Sequence, residues 1–148
     1  MIDRRDVGSW IEGPASRTRT PDDGWPGKRL GRPESGPGSV ARVGRRLLAV
    51  TVDWLLALVV SWTFLGGDPW ATLLVFGVAQ VVLVGTLGFG VGHGLFGMRV
   101  ERVDGGWAGP ARALVRTTLL CLAVPALVWD RDQRGMHDRA AGTVLVRR

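Results

Sequence analysis

The sequence predicts an all-α membrane protein, built on a two-helix transmembrane hairpin with a third, shorter apolar segment. Three observations carry this prediction. Hydrophobic residues make up 46% of the 148 residues, yet ten of the 19 Lys and Arg residues lie in the first 46 positions. Two long apolar runs follow, and no Lys or Arg occurs between Arg46 and Arg99. Basic segments that flank apolar runs are typical of membrane orientation.

The formal net charge of +6 indicates an anionic partner. We expect anionic lipid at the cytoplasmic face and no nucleic acid, because aromatic residues do not alternate with basic ones and no zinc-ligand spacing occurs. The single cysteine, Cys121, excludes an intramolecular disulfide, and no ligand set predicts a metal or another cofactor. One Lys beside eighteen Arg indicates a GC-rich bacterial source.

Residues 1–40 are predicted to be a disordered, basic cytoplasmic tail, and residues 41–148 a membrane domain. Pro and Gly interrupt the first segment every few residues, and no apolar period runs through it. Such a segment buries too little apolar surface to offset the entropy of ordering. We expect no cleaved signal peptide, because the apolar run begins only near residue 47.

Two transmembrane helices are predicted, at about 44–65 and 69–92. The apolar stretch 47–65 spans about 28 Å as a helix, close to the thickness of a bilayer core. Asp68 and Pro69 then suit the cap and first turn of the second helix. The loop between the helices lacks Lys and Arg, so the positive-inside rule places the amino terminus and the 93–112 loop in the cytoplasm of a multi-pass protein of the bacterial cell membrane.

The inner end of the second helix is rich in glycine, in the sequence GTLGFGVGHG. The spacing of Gly88 with Gly92, and of Gly90 with Gly94, suits close packing of helix backbones. The same glycines equally suit the unwinding of a helix end, and the sequence leaves both interpretations open. His93, at this end, is interpreted as a helix-end cation without a functional role.

A third helix is predicted at about 111–129, interrupted by Arg116 and Pro125. A re-entrant or interfacial position is favoured over a full crossing, because a crossing would put a tail with five arginines outside. The segments 97–103 and 142–148 alternate apolar and polar residues in part. They are predicted to be short strands, which form a small cytoplasmic β pair if they meet.

Asp53 is the residue that most needs explanation, because an ionised carboxylate within a membrane helix costs about 2.5–3.5 kcal/mol near its centre. Seven positions earlier, Arg46 points to the same helix face. We consider Arg46, Arg45, Arg116 and Gln80 as partners. Either Asp53 is a titrating site in a transport path, or it forms a structural ion pair with Arg46.

A second polar cluster, WDRDQRGMHDRAAGT, spans residues 129–143. His137 next to Asp138 suits metal binding or acid–base chemistry. No repeated ligand spacing and no nucleophile with a base accompany them, so a solvated, salt-bridged collar with Asp130 and Asp132 is favoured. The sequence therefore predicts no catalytic site and no enzyme.

These residues together resemble the RDD family of small bacterial membrane proteins, named for one arginine and two aspartates. RRLLAVTVDWLL supplies Arg46, with Arg45 as the second choice, and Asp53. GHGLFGMRVERVDGG fits the family's Gly-rich turn and strand, although His-Gly-Leu-Phe replaces its usual Thr-Leu-Gly-Lys. Arg116 and GMHDRAAGTVLV fit the closing motifs, with Asp138 as the second aspartate. The resemblance covers about residues 41–148.

The resemblance implies a family of undefined biochemical role, for which transport, including cation/proton exchange in some members, has been suggested. We expect a homo-oligomer that moves a small ligand or cation with Asp53 as the titrating site. The alternative is a non-transporting accessory or scaffold subunit of a membrane complex, in which the pair of Arg46 and Asp53 fixes helix docking.

Overall fold

The computed structural model describes residues 24–122 and 133–148, and the fold is given for these residues. They form a short 3₁₀ turn, helices α1 to α5 and strands β1 and β2. In chain order the bounds are Lys28–Leu30 for the 3₁₀ turn, Val43–Phe64 for α1, Pro69–Leu87 for α2, Val91–Leu95 for α3, Met98–Arg102 for β1, Gly109–Cys121 for α4, Met136–Ala141 for α5 and Thr143–Arg147 for β2. The prediction of a mostly helical chain with a small β pair is confirmed.

Helices α1 and α2 are both long and apolar enough to cross a membrane. With 22 residues, α1 is about 33 Å long. Asp68 caps the second helix by accepting a hydrogen bond from the backbone N–H of Ala71 at 2.8 Å, and Pro69 occupies its first turn. The hairpin therefore turns at the GGDP sequence.

The buried positions of the two helices are mostly polar or small, and many of their large apolar residues are exposed. Only 22% of the residues in the apolar 18-residue stretch of α1, and 28% of those in the corresponding stretch of α2, are buried. The buried stripe of α1 repeats every three or four positions and comprises Val43, Arg46, Ala49, Asp53, Ala57 and Ser61. A helix in the core of a soluble protein shows the opposite pattern, with its apolar stripe buried. The hairpin therefore has an apolar exterior around a polar seam.

Helix α2 ends at Leu87, so the prediction that it continues to residue 92 is wrong. Gly88 has a φ of 83°, a left-handed conformation that ends the helix. The chain then turns into α3, which packs against α1. A Cβ on Gly92 would lie 2.0 Å from the carbonyl oxygen of Ala49. The glycines therefore serve both interpretations, since Gly88 ends a helix and Gly92 allows two backbones to meet.

Strands β1 and β2 pair antiparallel, from Met98 opposite Arg147 to Arg102 opposite Thr143. The predicted strand pair is thereby confirmed. Inward-facing residues of both strands join residues of α1, α2 and α4 in one buried cluster, made of Ala41, Ala49, Val84, Met98, Val100, Ala108, Ala113 and Leu145. The sheet thus closes one end of the helical hairpin.

The predicted disorder of residues 1–40 is wrong for residues 24–40. Val40 forms an isolated bridge with Val146 of β2, and the Arg32 guanidinium pairs with Glu101 at 2.8 Å. The segment is ordered because it adds backbone hydrogen bonds and an ion pair to the sheet, which its composition does not reveal. Residues 1–23 lie outside the described residues.

Helix α4 packs antiparallel to α2. A Cβ on Gly85 would lie 3.0 Å from Pro110, and one on Gly77 would lie 3.7 Å from the Cys121 sulfur. The 13 residues of α4 span about 20 Å. The predicted helix continued to residue 129, but residues 123–132 lie outside the described residues, and so do Pro125, Asp130 and Asp132.

Candidate functional site

Asp53 lies midway along α1, on the buried seam, with 8% of its surface exposed. Its Oδ2 accepts a hydrogen bond from the Gln80 side-chain amide at 2.7 Å. Its Oδ1 accepts one from the backbone N–H of Gly92, also at 2.7 Å. Of the partners expected for Asp53, Gln80 is the one that the structure places on the carboxylate. Helix α3 contributes the second hydrogen bond because Gly88 ends α2 and turns the chain back.

His93 is fully buried beside this carboxylate. Its Nδ1 lies 3.4 Å from Oδ2 of Asp53, and within the described residues neither ring nitrogen forms a hydrogen bond. Burial lowers the pKa of His93 below its ordinary value, and the adjacent carboxylate offsets this only in part. The interpretation of His93 as a helix-end cation is therefore wrong, since the short helix α3 places its side chain in the interior.

Asp138 forms a second, fully buried cluster where α1, α4 and α5 meet. Its Oδ1 accepts a hydrogen bond from Nε of Arg116 at 2.6 Å. Its Oδ2 lies 3.3 Å from Nη1 of Arg46 and 3.5 Å from Nε2 of His137. The Thr143 hydroxyl lies 3.3 Å from Oδ1. One carboxylate therefore joins two guanidinium groups.

The predicted ion pair between Arg46 and Asp53 does not form. Nε of Arg46 donates to the carbonyl of Ala41 at 2.9 Å, and Nη2 donates to the carbonyl of Leu145 at 3.3 Å. These acceptors direct the guanidinium toward Asp138. Arg46 and Asp53 share a helix face but are about 10 Å apart along the axis, whereas Asp138 is presented directly to the guanidinium.

The expected solvated collar is also wrong for His137 and Asp138, its histidine and its acid among the described residues. Asp138 is 0% exposed and His137 is 5% exposed. Burial by itself raises the pKa of Asp138, but the positive charges around it, Arg116 first, hold that pKa well below its ordinary value. Burial lowers the pKa of His137 to about 4, with Asp138 opposing the shift. At neutral pH the cluster therefore holds an ionised Asp138 and an uncharged His137.

The two clusters are adjacent parts of one buried polar seam. Arg116 and Asp138 both act on the pKa of His93, in opposite directions. The seam holds two buried arginines, Arg46 and Arg116, and two buried aspartates, Asp53 and Asp138, so the formal charges of these four residues cancel. Further buried atoms without a hydrogen-bond partner in the described part of the chain include Oε1 of Gln80, Nη1 of Arg116, Oγ1 of Thr117 and Nδ1 of His137. Such atoms are rare in native interiors without a bound water or ion.

The chemistry that this seam supports is proton or ion binding. A carboxylate and an imidazole in near contact can share or exchange a proton. Among residues 24–122 and 133–148, no group of three or more His, Cys, Asp or Glu side chains is placed to hold a metal ion. Of the predicted residues, six lie in the seam, namely Arg46, Asp53, Gln80, Arg116, His137 and Asp138. Arg45 lies outside the seam and donates to the carbonyl of Phe96.

His93 was missed because its partner, Asp53, is forty positions away and the fold-back of α3 leaves no periodic pattern. The available signal was an ionisable residue within GFGVGHG, at the membrane depth predicted for the second helix. No protein family, curated protein or solved structure matches this chain. The assignment of a function consequently rests on the geometry of the seam and on the sequence motifs.

Proposed function

We propose that this chain is an integral membrane protein of the RDD type that moves a small ligand or cation, with Asp53 and His93 as its proton-binding pair. The observation that carries the proposal is the 3.4 Å separation of two buried titratable groups between helices with apolar exteriors. The sequence offered one acid for a relay, and His93 supplies the second group that proton transfer requires.

A membrane location is supported by the exposed faces of the hairpin. The large side chains with more than half of their surface exposed include Val59, Trp62 and Phe64 on α1 and Trp70, Leu74 and Val78 on α2. Monomeric soluble proteins rarely expose contiguous apolar areas of this kind. The loop at Gly66 carries no Lys or Arg, whereas the opposite end of the hairpin carries Arg42, Arg45 and Arg99. The proposed orientation therefore has the sheet in the cytoplasm of a bacterial cell.

The RDD resemblance gains support from the way its motif residues meet. Arg46 and Asp138 are 92 positions apart and lie in one ion pair, and Arg116 completes it. In the sequence these residues belonged to three separate, individually weak motifs. Their convergence is what a shared structural role of the motifs would produce.

The proposed step is protonation of the pair. Asp53 is held by Gln80 and the Gly92 amide, and both hydrogen bonds favour the ionised carboxylate. A proton that reaches Nδ1 of His93 would create an ion pair with Oδ2 of Asp53. Within the described residues Oε1 of Gln80 has no hydrogen-bond partner, and it offers an acceptor for water or a cation near the pair. Because these helices enclose little volume, the transporter is proposed to be an oligomer, and no enzymatic reaction is assigned.

A second function, an accessory or scaffold subunit, is favoured by the cluster around Asp138. Its two arginine contacts join α1, α4 and α5. Contacts of this kind hold helices together and need no transport function. In this alternative the docking residue is Asp138 and not Asp53, and Asp53→Asn should change neither partner binding nor assembly.

The test is proton movement in proteoliposomes that contain the full chain and a trapped pH-sensitive dye. Sodium or potassium gradients are imposed across the vesicles. We expect wild type and Asp104→Asn, which alters an exposed carboxylate, to change the internal pH, and Asp53→Asn and His93→Gln to be inactive although correctly inserted. Unchanged flux in both seam variants would refute the assignment of the pair. If a foreign protein is recovered in stoichiometric amounts with the wild type purified from native membranes, this result would favour the accessory-subunit function.

A further inference from the structure

A groove with an apolar floor and one arginine at its end lies between α1 and the segment that follows α3. Its lining includes Arg45, Leu47, Leu48, Thr51, Leu95 and Phe96. Leu47 and Leu48 expose 54% and 56% of their surface, and Leu95 exposes 70%. The groove is separate from the seam that holds Asp53, and the proposed function makes no use of it.

Arg45 is fixed at the sheet end of this groove. Its Nη1 donates to the carbonyl oxygen of Phe96 at 3.1 Å. In the part of the chain that the structure describes, no carboxylate lies within ion-pair distance of Arg45, whereas Arg46 next to it is paired with Asp138. One hydrogen bond to a backbone carbonyl thus orients the guanidinium, and no carboxylate of residues 24–122 or 133–148 compensates its positive charge.

The polarity of the groove matches one ligand chemistry. From Arg45 to Thr51 the groove follows α1 for six residues, about 9 Å, toward the middle of the helix. The charge lies at the end nearest the sheet, beside Leu95 and Phe96, and Leu47 and Leu48 follow it toward the middle of α1. A phospholipid has the same order, because its phosphate lies at the interface and its acyl chain points toward the bilayer centre. Guanidinium groups bind phosphate oxygens by charge-assisted hydrogen bonds.

We propose that this groove binds one anionic phospholipid, with the phosphate at Arg45 and an acyl chain along Leu47, Leu48 and Leu95. The inference rests on the proposed membrane location. An anionic headgroup is selected because the uncompensated charge of Arg45 favours a net negative ligand over a zwitterionic one. The lipid would bridge α1 and the end of α3, the helix that carries Gly92 and His93. Its binding therefore stabilises the contact that completes the Asp53 site.

The experiment is native mass spectrometry of the full chain, purified in detergent and titrated with dioleoyl phosphatidylglycerol or dioleoyl phosphatidylcholine. Arg45→Gln is compared with Arg42→Gln, which removes the same charge from an exposed position of the same segment, outside the groove. Leu95→Gln tests the apolar floor at a side chain too exposed to be needed for folding. We expect wild type and Arg42→Gln to bind one phosphatidylglycerol in preference to phosphatidylcholine. Arg45→Gln should weaken that binding by roughly tenfold, and Leu95→Gln should also weaken it.

Three results would overturn the proposal. Equal losses in Arg42→Gln and Arg45→Gln would show a diffuse charge effect. Equal binding of both lipids, or displacement by soluble glycerol phosphate at the same concentration, would show that no lipid-specific site exists. A dimer whose interface covers the groove would identify a second copy as the occupant. Extraction of cell membranes with alkaline carbonate separates this inference from the proposed function. Release of the protein into the extract would refute membrane insertion. Retention of the protein in the membrane, together with no lipid preference, would refute only the proposed lipid site in the groove.

Discussion

Replacement of Asp138 by Asn is expected to destabilise the protein strongly. The carboxylate is 0% exposed, and it lies 2.6 Å from Arg116 and 3.3 Å from Arg46, whose side chains are 2% and 5% exposed. Asn keeps the size of the side chain but removes the charge, so two buried guanidinium groups lose their counter-ion. Removal of one partner of a buried ion pair costs about 3–5 kcal/mol. We expect the free energy of unfolding to fall by at least about 3 kcal/mol, since two cations are affected.

The assay is unfolding of the purified protein in mixed detergent micelles with increasing dodecyl sulfate, followed by tryptophan fluorescence. Asp104→Asn is the matched control, because its side chain is 59% exposed and pairs with an exposed Arg102 at 2.6 Å. Exposed pairs contribute about 0–1 kcal/mol, so the control should unfold nearly as the wild type does. Equal losses of stability in the two variants would refute the argument that the buried cluster locks the helices together.

Two further predictions concern packing and pH. Gly92→Ala should prevent the close contact of α3 with Ala49, because the added Cβ would lie 2.0 Å from the Ala49 carbonyl oxygen. Gly77→Ala is the control and should be neutral or stabilising, because its nearest neighbour would lie at 3.7 Å. Equal melting temperatures for the two variants would contradict the contact. The pKa of His137 is about 4 in the folded protein and 6.5 in the unfolded chain, so the unfolded chain binds the extra proton between these values and stability falls as the pH falls. From pH 7 to pH 5 this amounts to about 2 kcal/mol, and His137→Gln should flatten the dependence; parallel curves for wild type and variant would contradict it.

The sequence predicts the elements of the fold whose cause is local. Helix α1 was expected at 44–65 and is observed at Val43–Phe64, because an uninterrupted apolar run and the GGDP turn set both ends. The end of α2 was missed by five residues. Gly88 ends the helix only in a left-handed conformation, and an apolar run that includes glycine fits a continued helix equally well. Order in residues 24–40 was missed because it depends on a contact with β2.

The site was predictable by residue type but not by pairing. Arg46 and Asp53 are both buried and share one face of α1, yet they belong to different clusters. Spacing along one helix indicates a shared face, but it does not show which distant acceptor, such as Asp138 or the Leu145 carbonyl, competes for a guanidinium. A double variant that exchanges the two charges, Arg46→Asp with Asp53→Arg, is consequently expected to be no more stable than either single variant. His93 was overlooked for the same reason, since its partner is distant in the chain.

The position of Asp138 in the chain also sets an order of assembly. Arg46 is synthesised 92 residues before its carboxylate partner, and Arg116 is synthesised 22 residues before it. Until Asp138 emerges, both arginines lack this partner, so they favour water or lipid phosphate over the interior of the helix bundle. The hairpin can therefore form early, but the seam closes only when α5 and β2 are present. Closure of the seam thus depends on synthesis of the segment that carries α5 and β2.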